Sequence, residues 1–486
     1  MKTKSIAMNA VLNIIKTVSV IIFPLITFPY ISRVLDVDSI GRYNFSASII
    51  SYFTLIAGLG VNNYAIREGA QYRNDRNKIS RFVSEVYSIN IVSSIVAYML
   101  LFFVVAISSK LQNYGTILLI LSAEVVFTCV GINWIYNIFE EFWYITFVTV
   151  LFQIISMILM FAFVKTNQDL LKYVGIVVFA NVGGQVLYRL KARKYVDVRA
   201  VFDKSLINHL VPILLLFSTS IASMIYVSSD TTILGFLTND YRVGLYSVST
   251  KIYKIIKQLF LAIVVVAIPR VALYVRKNES EKCQDLIDNT FNLLLALCIP
   301  AMVGLICTSK YIILIISGEK YLEADLSLKI LGIALLFSIL SSFYANCVLI
   351  PNREDKGLLT ATIVSATINI IGNFLIIPFF QEVGAAITTV VAEVIMVVMC
   401  GRKSKKIMKP ILSKRNVASI LVSCSSIVLI CGIVNHIITN EMIGFSVAVL
   451  GSVFAFFAVN ILLKNPVIIS FLQDIMSKIK RKTVRK

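Results

Sequence analysis

Three lysines, Lys251, Lys254 and Lys257, recur at i, i+3 and i+6 inside an otherwise apolar run. At about 100° per residue they cover roughly 120° of one helix side, and at 1.5 Å per residue Lys254 stands about 15 Å in from Gly244. A lysine at the centre of a bilayer costs about 2.5–3.5 kcal/mol on insertion scales, so three facing lipid together are strongly disfavoured. The spacing predicts that they line water. Clustered ammonium groups act as point charges for an anionic ligand, phosphate above all. In the competing reading Lys251 snorkels to one interface and Lys257 to the other, and only Lys254 needs a partner. Asp230, near the outer end of the preceding apolar run, is the counter-ion expected for Lys251 or Lys254.

Three arginines extend this cationic set. Arg33 follows a run containing Pro24 and Pro29, so a bent helix can turn it inward, and Arg67 and Arg270 flank the inner mouth. For each, anchoring at the membrane interface competes equally with touching a ligand. Glu85, Glu124 and Glu393 are the other acidic residues within apolar runs. Each fits proton or sodium coupling, or structural pairing with a basic residue. Asn369 and Asn373, one turn apart, suit hydrogen bonds between helices. The eight cysteines form no CxxC pair, seven of them lie in apolar runs, and the only histidines are His209 and His436. Neither a metal site nor a cofactor is expected. There is no GxxxxGK[ST], GxSxG or HExxH motif, so the chain is expected to be a transporter rather than an enzyme. An ion gradient, the membrane potential or the substrate's own gradient would drive it.

The elements that hold these residues follow from composition. Of 486 residues 58% are hydrophobic and only 15% charged, with a mean hydropathy of +0.85; a globular protein has roughly 25% charged. Fourteen apolar runs are long enough to span a bilayer: 11–32, 41–63, 82–107, 115–136, 144–164, 173–188, 206–228, 243–269, 289–308, 330–350, 358–378, 384–400, 417–438 and 443–463. The first lacks a small-residue cleavage site and reads as a retained helix rather than a signal peptide. With the N-terminus in the cytoplasm, 33 of the 46 Lys and Arg fall in inner connections and nine in outer ones, so both termini are expected to be cytoplasmic. This assigns the net charge of +20, and the basic runs at 189–204, 401–415 and 478–486, to topology and anionic lipids rather than nucleic acid. After Pro466, residues Ile468, Ile469, Phe471, Leu472, Ile475 and Ile479 lie beside lysines, a pattern for a helix flat on the interface.

An internal repeat organises the runs. Gly41, Tyr43, Ser46 and Ile49 recur as Gly244, Tyr246, Ser249 and Ile252, an offset of 203 residues that also places Arg67 on Arg270. The same offset converts Ser48, Ser51 and Thr54 into Lys251, Lys254 and Lys257. The expected fold is an all-α polytopic membrane protein of about 14 transmembrane helices. Residues 1–204 and 205–400 would form two six-helix bundles around a central cavity, and residues 401–486 two extra helices and a basic amphipathic tail.

The residues carrying the repeat also carry a family resemblance. Ile31-Ser-Arg33-Val-Leu35, then Gly41 and Tyr43, then Gly58-Leu-Gly60-Val-Asn-Asn-Tyr-Ala-Ile-Arg67-Glu68 resemble the opening signature of Wzx-type polysaccharide biosynthesis flippases. These are members of the multidrug/oligosaccharidyl-lipid/polysaccharide exporter superfamily. Asp230-Thr-Thr-Ile-Leu-Gly235, Ile268-Pro269-Arg270 and Gly384-Ala-Ala-Ile through Glu393 agree with it, over residues 10 to 400; Asp36 stands where the pattern often has glycine. The resemblance implies a MATE-like fold in the bacterial inner membrane. The implied activity is alternating-access movement of undecaprenyl-diphosphate-linked oligosaccharide to the outer leaflet, for O-antigen, capsule or exopolysaccharide assembly. A polysaccharide polymerase and a chain-length regulator are the implied partners. Lys251 and Lys254 would take the diphosphate, with Arg33, Arg67 and Arg270 guiding it. A multidrug exporter of the same fold would want acidic or aromatic cavity walls for cations, and a membrane polymerase or ligase would want larger outer loops.

Overall fold

The computed structural model describes residues 6–438 and 440–483. Lys2 and Lys4 of the expected inner N-terminus, and residues 484–486 of the basic tail, lie outside them, as do the side chains of Ile475 and Ile479. The described residues are mostly helical, with no strand among them. Thirteen helical stretches among them are long and apolar enough to cross a membrane. One, Asp355–Ser404, has 50 residues and is two spans joined at Gln381, whose φ of 52° and ψ of −128° are not helical. With that division each of the fourteen apolar runs is mostly helical, as the absence of backbone partners in hydrocarbon requires. The all-α polytopic class expected from composition holds.

The chain forms two compact units, Met1–Gly244 and Leu245–Lys486. The first contains α1 (Ile6–Val34), α2 (Val37–Gly58), α3 (Val61–Tyr72), α4 (Arg76–Ile107), α5 (Ser109–Gln112), α6 (Gly115–Val130), α7 (Trp134–Ile138), α8 (Phe142–Phe163), α9 (Leu170–Val182), α10 (Gly184–Ala192) and α11 (Leu206–Leu237). Helix α2 packs on α4, α6 and α11, and α1 on α8. Local chemistry sets the breaks. Asp36 is extended (φ −77°, ψ 163°) and begins α2 without a left-handed turn, so glycine is not needed there; its backbone N–H donates to Asn167 Oδ1 at 2.9 Å. Leu59 and Gly60 are both left-handed (φ 44° and 72°) and separate α2 from α3, which divides the 41–63 run between two helices. Asp75 caps α4 by accepting from the backbone N–H groups of Asn77 and Lys78. Helix α4 exposes Ile95, Met99, Phe102 and Phe103 along one stripe, the face a lipid-contacting helix turns outward.

Helix α12 (Asp240–Arg276) begins at the end of the first unit and runs into the second, which continues with α13 (Ser280–Ser317), α14 (Asp325–Phe343), α15 (Asp355–Ser404), α16 (Lys414–Ile437), α17 (Glu441–Leu462) and α18 (Pro466–Thr483). Helix α13 packs against α14, α16, α17 and α18. A buried amide network fixes the last three helices. Asn465 Nδ2 donates to Asn416 Oδ1 at 3.0 Å and to Asn460 Oδ1 at 2.8 Å, and Asn416 Nδ2 donates to the Asn292 carbonyl of α13 at 2.9 Å. Within α15, Asn373 Nδ2 donates to Asn369 Oδ1 at 3.2 Å, and Thr388 beyond the kink donates to Asn373 Oδ1. This is the helix-to-helix role expected of the asparagine pair.

Candidate functional site

Helix α12 carries the lysine arc in the second unit. Lys254 is exposed, and Lys251 and Lys257 are half-buried. Lys257 Nζ lies 3.3 Å from Glu393 Oε1 of α15, and Glu393 is 3% exposed. Ser341 Oγ of α14 donates to the other Glu393 oxygen at 3.2 Å, and the Tyr253 hydroxyl stands 3.5 Å from Lys257 Nζ. This set joins α12, α14 and α15, and it brings together two residues the sequence offered separately, one as ligand contact and one as coupling group. Around it, Ser249 Oγ lies 2.7 Å from Ser327 Oγ and 3.0 Å from the Ala324 carbonyl, which seats the start of the arc on α14. Arg270, further along α12, is exposed.

The other expected charges lie in the first unit. Arg33 is exposed at the end of α1. Arg67 is exposed on α3, its Nε 2.9 Å from Glu68 Oε1. Asp230 is buried on α11. Glu124 of α6 accepts from Asn181 Nδ2 of α9 at 2.7 Å. Glu85 of α4 sits at the centre of a larger cluster. Arg81 Nε is 3.0 Å and Ser205 Oγ 2.8 Å from its Oε1, and His209 Nε2 is 2.9 Å from its Oε2. The other imidazole nitrogen, Nδ1, is 2.6 Å from the Tyr64 hydroxyl. Glu85 therefore joins α3, α4 and the start of α11.

Within the second unit, α12, α13, α16 and α17 line an open apolar pocket of about 450 Å³. Ile256, Phe260, Pro300, Ile427, Phe456 and Phe457 are among its walls. Among the described residues, no group of three or more His, Cys, Asp or Glu side chains is placed to hold a metal ion.

A family model described as "Polysaccharide biosynthesis protein" matches residues 6–275, which include the lysine arc and Arg270. The chain belongs to the polysaccharide biosynthesis protein family. This polysaccharide biosynthesis protein is 21% identical over 383 residues to an Escherichia coli (strain K12) protein named as an O-antigen transporter, covering 76% of this chain and 90% of the relative. It is 25% identical over 181 residues to a Haloferax volcanii protein named as a low-salt glycan biosynthesis flippase, 37% and 38% of the two chains. Its fold is similar to the lipid II flippase MurJ (TM-score 0.76, 16% identity, covering 94% of this chain and 100% of that one). It is also similar to a MATE multidrug transporter (TM-score 0.60, 13% identity, 79% and 93% covered). The polysaccharide biosynthesis protein is thus a multi-pass membrane protein of transporter fold, not an enzyme.

Sequence reasoning singled out the charged members of these clusters and missed their partners. His209, Tyr64, Ser205, Ser341 and Asn181 are ordinary polar residues whose neighbours lie far along the chain, and no local spacing marks them. His209 did carry a signal: it is one of two histidines and opens an apolar run.

Proposed function

We propose that this chain is a flippase that moves a polyprenyl-diphosphate-linked oligosaccharide from the cytoplasmic to the outer leaflet of a bacterial inner membrane, by alternating access, for surface polysaccharide assembly. The observation that carries the reading is the division of labour along α12. Lys257 meets Glu393 at 3.3 Å, and Lys254, about 21 Å along the helix from Asp240, is exposed in a segment matched by the family. Lys251 and Lys254 bind the diphosphate, because two ammonium groups on adjacent turns meet two phosphates as point charges. Lys257 ties α12 to α15 through Glu393. Arg33, Arg67 and Arg270 guide the headgroup at the ends of the path, and Asp230 holds the arc's charge in balance. Glu85 is the candidate for ion coupling. Residues 1–204 and 205–400 act as the two moving halves, with both termini cytoplasmic, and the open apolar pocket of the second unit suits the isoprenoid chain. A cation exporter of the same fold would not place three lysines on one helix side.

Reconstitution tests this. Purified protein in liposomes should accelerate exposure of a fluorescent polyprenyl-diphosphate sugar to the opposite leaflet, and Lys251→Ala/Lys254→Ala should remove at least nine-tenths of that rate. Unchanged transport by the double variant removes the arc from the mechanism.

A further inference from the structure

The first unit contains a pocket that diphosphate chemistry leaves unused. Where α2 breaks before α3, a cavity of about 350 Å³ is lined by Ser51, Thr54, Asn62, Asn63, Glu124 and Ser220, with Gly58 and Gly60 at the break. Its size falls in the usual range for small-molecule sites, about 300–1,000 Å³. Glu124 is the one charged wall residue, and no group of three or more His, Cys, Asp or Glu side chains among the described residues is placed to hold a metal ion. No lysine or arginine lines the cavity, and the one charged wall residue is a carboxylate, so a phosphate is repelled.

Hydroxyl, amide and carboxylate walls together make the donor and acceptor set that pairs with a polyol, since each sugar hydroxyl both donates and accepts. The Thr54 hydroxyl is buried with no hydrogen-bond partner among the described residues, and a buried polar group left in that state favours any ligand or water that reaches it. Glu124 is held in place by Asn181 at 2.7 Å. The left-handed Leu59–Gly60 step brings Asn62 and Asn63 to the opening turn of α3 beside the end of α2. Irregular backbone inside a membrane protein is tolerated where it lines a cavity.

The repeat gives the pocket its meaning. Ser51 and Thr54 occupy on α2 the positions that Lys254 and Lys257 occupy on α12. One helix presents cations and its counterpart neutral hydroxyls, and a glycosylated diphosphate headgroup carries the chemistry that answers each. We propose that this pocket receives a sugar ring of the lipid-linked glycan, with Glu124, Asn62 and Asn63 bonding its hydroxyls and Thr54 closing the floor. The proposal rests on the flippase reading and adds the residues that select the glycan.

The test compares two probes in liposomes containing the full chain: undecaprenyl diphosphate bearing one N-acetylglucosamine, and undecaprenyl diphosphate without sugar. The readout is the ratio of their transport rates. Glu124→Ala and Asn63→Ala are each expected to lower the sugar-to-bare ratio about tenfold, Glu124→Gln to lower it less, and Lys254→Ala to slow both probes together. If Glu124→Ala does not fold, Asn63→Ala and the isosteric Thr54→Val carry the measurement. An unchanged ratio in the pocket variants overturns the sugar site. So does a Glu124→Gln variant that keeps the ratio but loses a dependence on a sodium or proton gradient, which would make the pocket a coupling site. Failure of the wild-type chain to move either probe removes the flippase reading, and the sugar site falls with it.

Discussion

Lys257 of α12 and Glu393 of α15, 136 residues apart in sequence, form an ion pair of 3.3 Å within the second unit, with Ser341 completing the carboxylate's hydrogen bonds. The attraction is balanced against desolvation of two ions, so the pair specifies a geometry more than it stabilises. Removing one partner is different, because it strands the other charge. Glu393→Ala is expected to destabilise the protein by about 3 kcal/mol, and Lys257→Met on that background to recover most of the loss. Thermal unfolding of these two variants and of Lys257→Met alone in detergent measures this, and an additive double variant would contradict the pairing.

Glu85 predicts a local effect in the first unit. It accepts from Ser205 and meets His209, so it holds the start of α11 to α4. Glu85→Ala leaves the imidazole and hydroxyl to find water and frees the segment that precedes the helix. The basic stretch at 189–204 should then be cut by trypsin several-fold faster in Glu85→Ala than in wild type, with Glu85→Gln between them. Timed digestion of the purified protein resolves the three, and equal rates would show that the cluster does not secure the helix.

How much of this was legible follows from range. The membrane helices were readable because apolar length alone determines them in lipid, and the lysine arc because lysine inside such a run is costly and therefore conspicuous. The partners were not. Glu393 and His209 lie 136 and 124 residues from the side chains they meet, and helical periodicity predicts which face a residue occupies, not which helix faces it. The α2–α3 break lay between these extremes. Gly58-Leu-Gly60 signals a left-handed turn, but the apolar residues on both sides carry the run through it, and the 41–63 run was read as one span. Gln381, whose φ and ψ are not helical, turns the chain back between two runs that apolar length gives as separate spans, so that Ser365 Oγ of the first reaches the Ala392 carbonyl of the second at 2.6 Å.

Asp75 gives a pH dependence. The backbone N–H of Lys78, followed by that of Asn77, holds its carboxyl below the ordinary 3.8. A folded value below the unfolded one contributes stability above about the unfolded value, and the contribution is lost as pH falls through the folded one. Asp75→Ala should therefore lower the unfolding midpoint near neutrality. The gap from wild type should shrink once the pH drops below 3.8. Melting curves across acidic pH check the sign; a gap that widens on acidification would contradict it.

Gly41 tests the repeat at the point of closest approach. A Cβ built on Gly41 of α2 would stand 1.8 Å from the Asp240 carbonyl oxygen and 3.0 Å from the Gly244 nitrogen at the start of α12. One built on Gly244 would stand 2.1 Å from the Val37 carbonyl oxygen. Each motif glycine thus faces the other helix's first turn, where the obstacle is backbone and cannot rotate aside as a flexible side chain can. Overpacking of well-packed sites costs about 1–3 kcal/mol, and a rigid carbonyl places Gly41→Ala at the upper end. Gly115, with nothing within 4 Å of its would-be Cβ, is the internal control: Gly115→Ala should be neutral or slightly stabilising, since alanine is the better helix former. Melting temperatures of the purified variants decide it. A neutral Gly41→Ala would mean that the two helix starts do not meet through their glycines, and that the recurring Gly-x-Tyr pattern reflects something other than close packing.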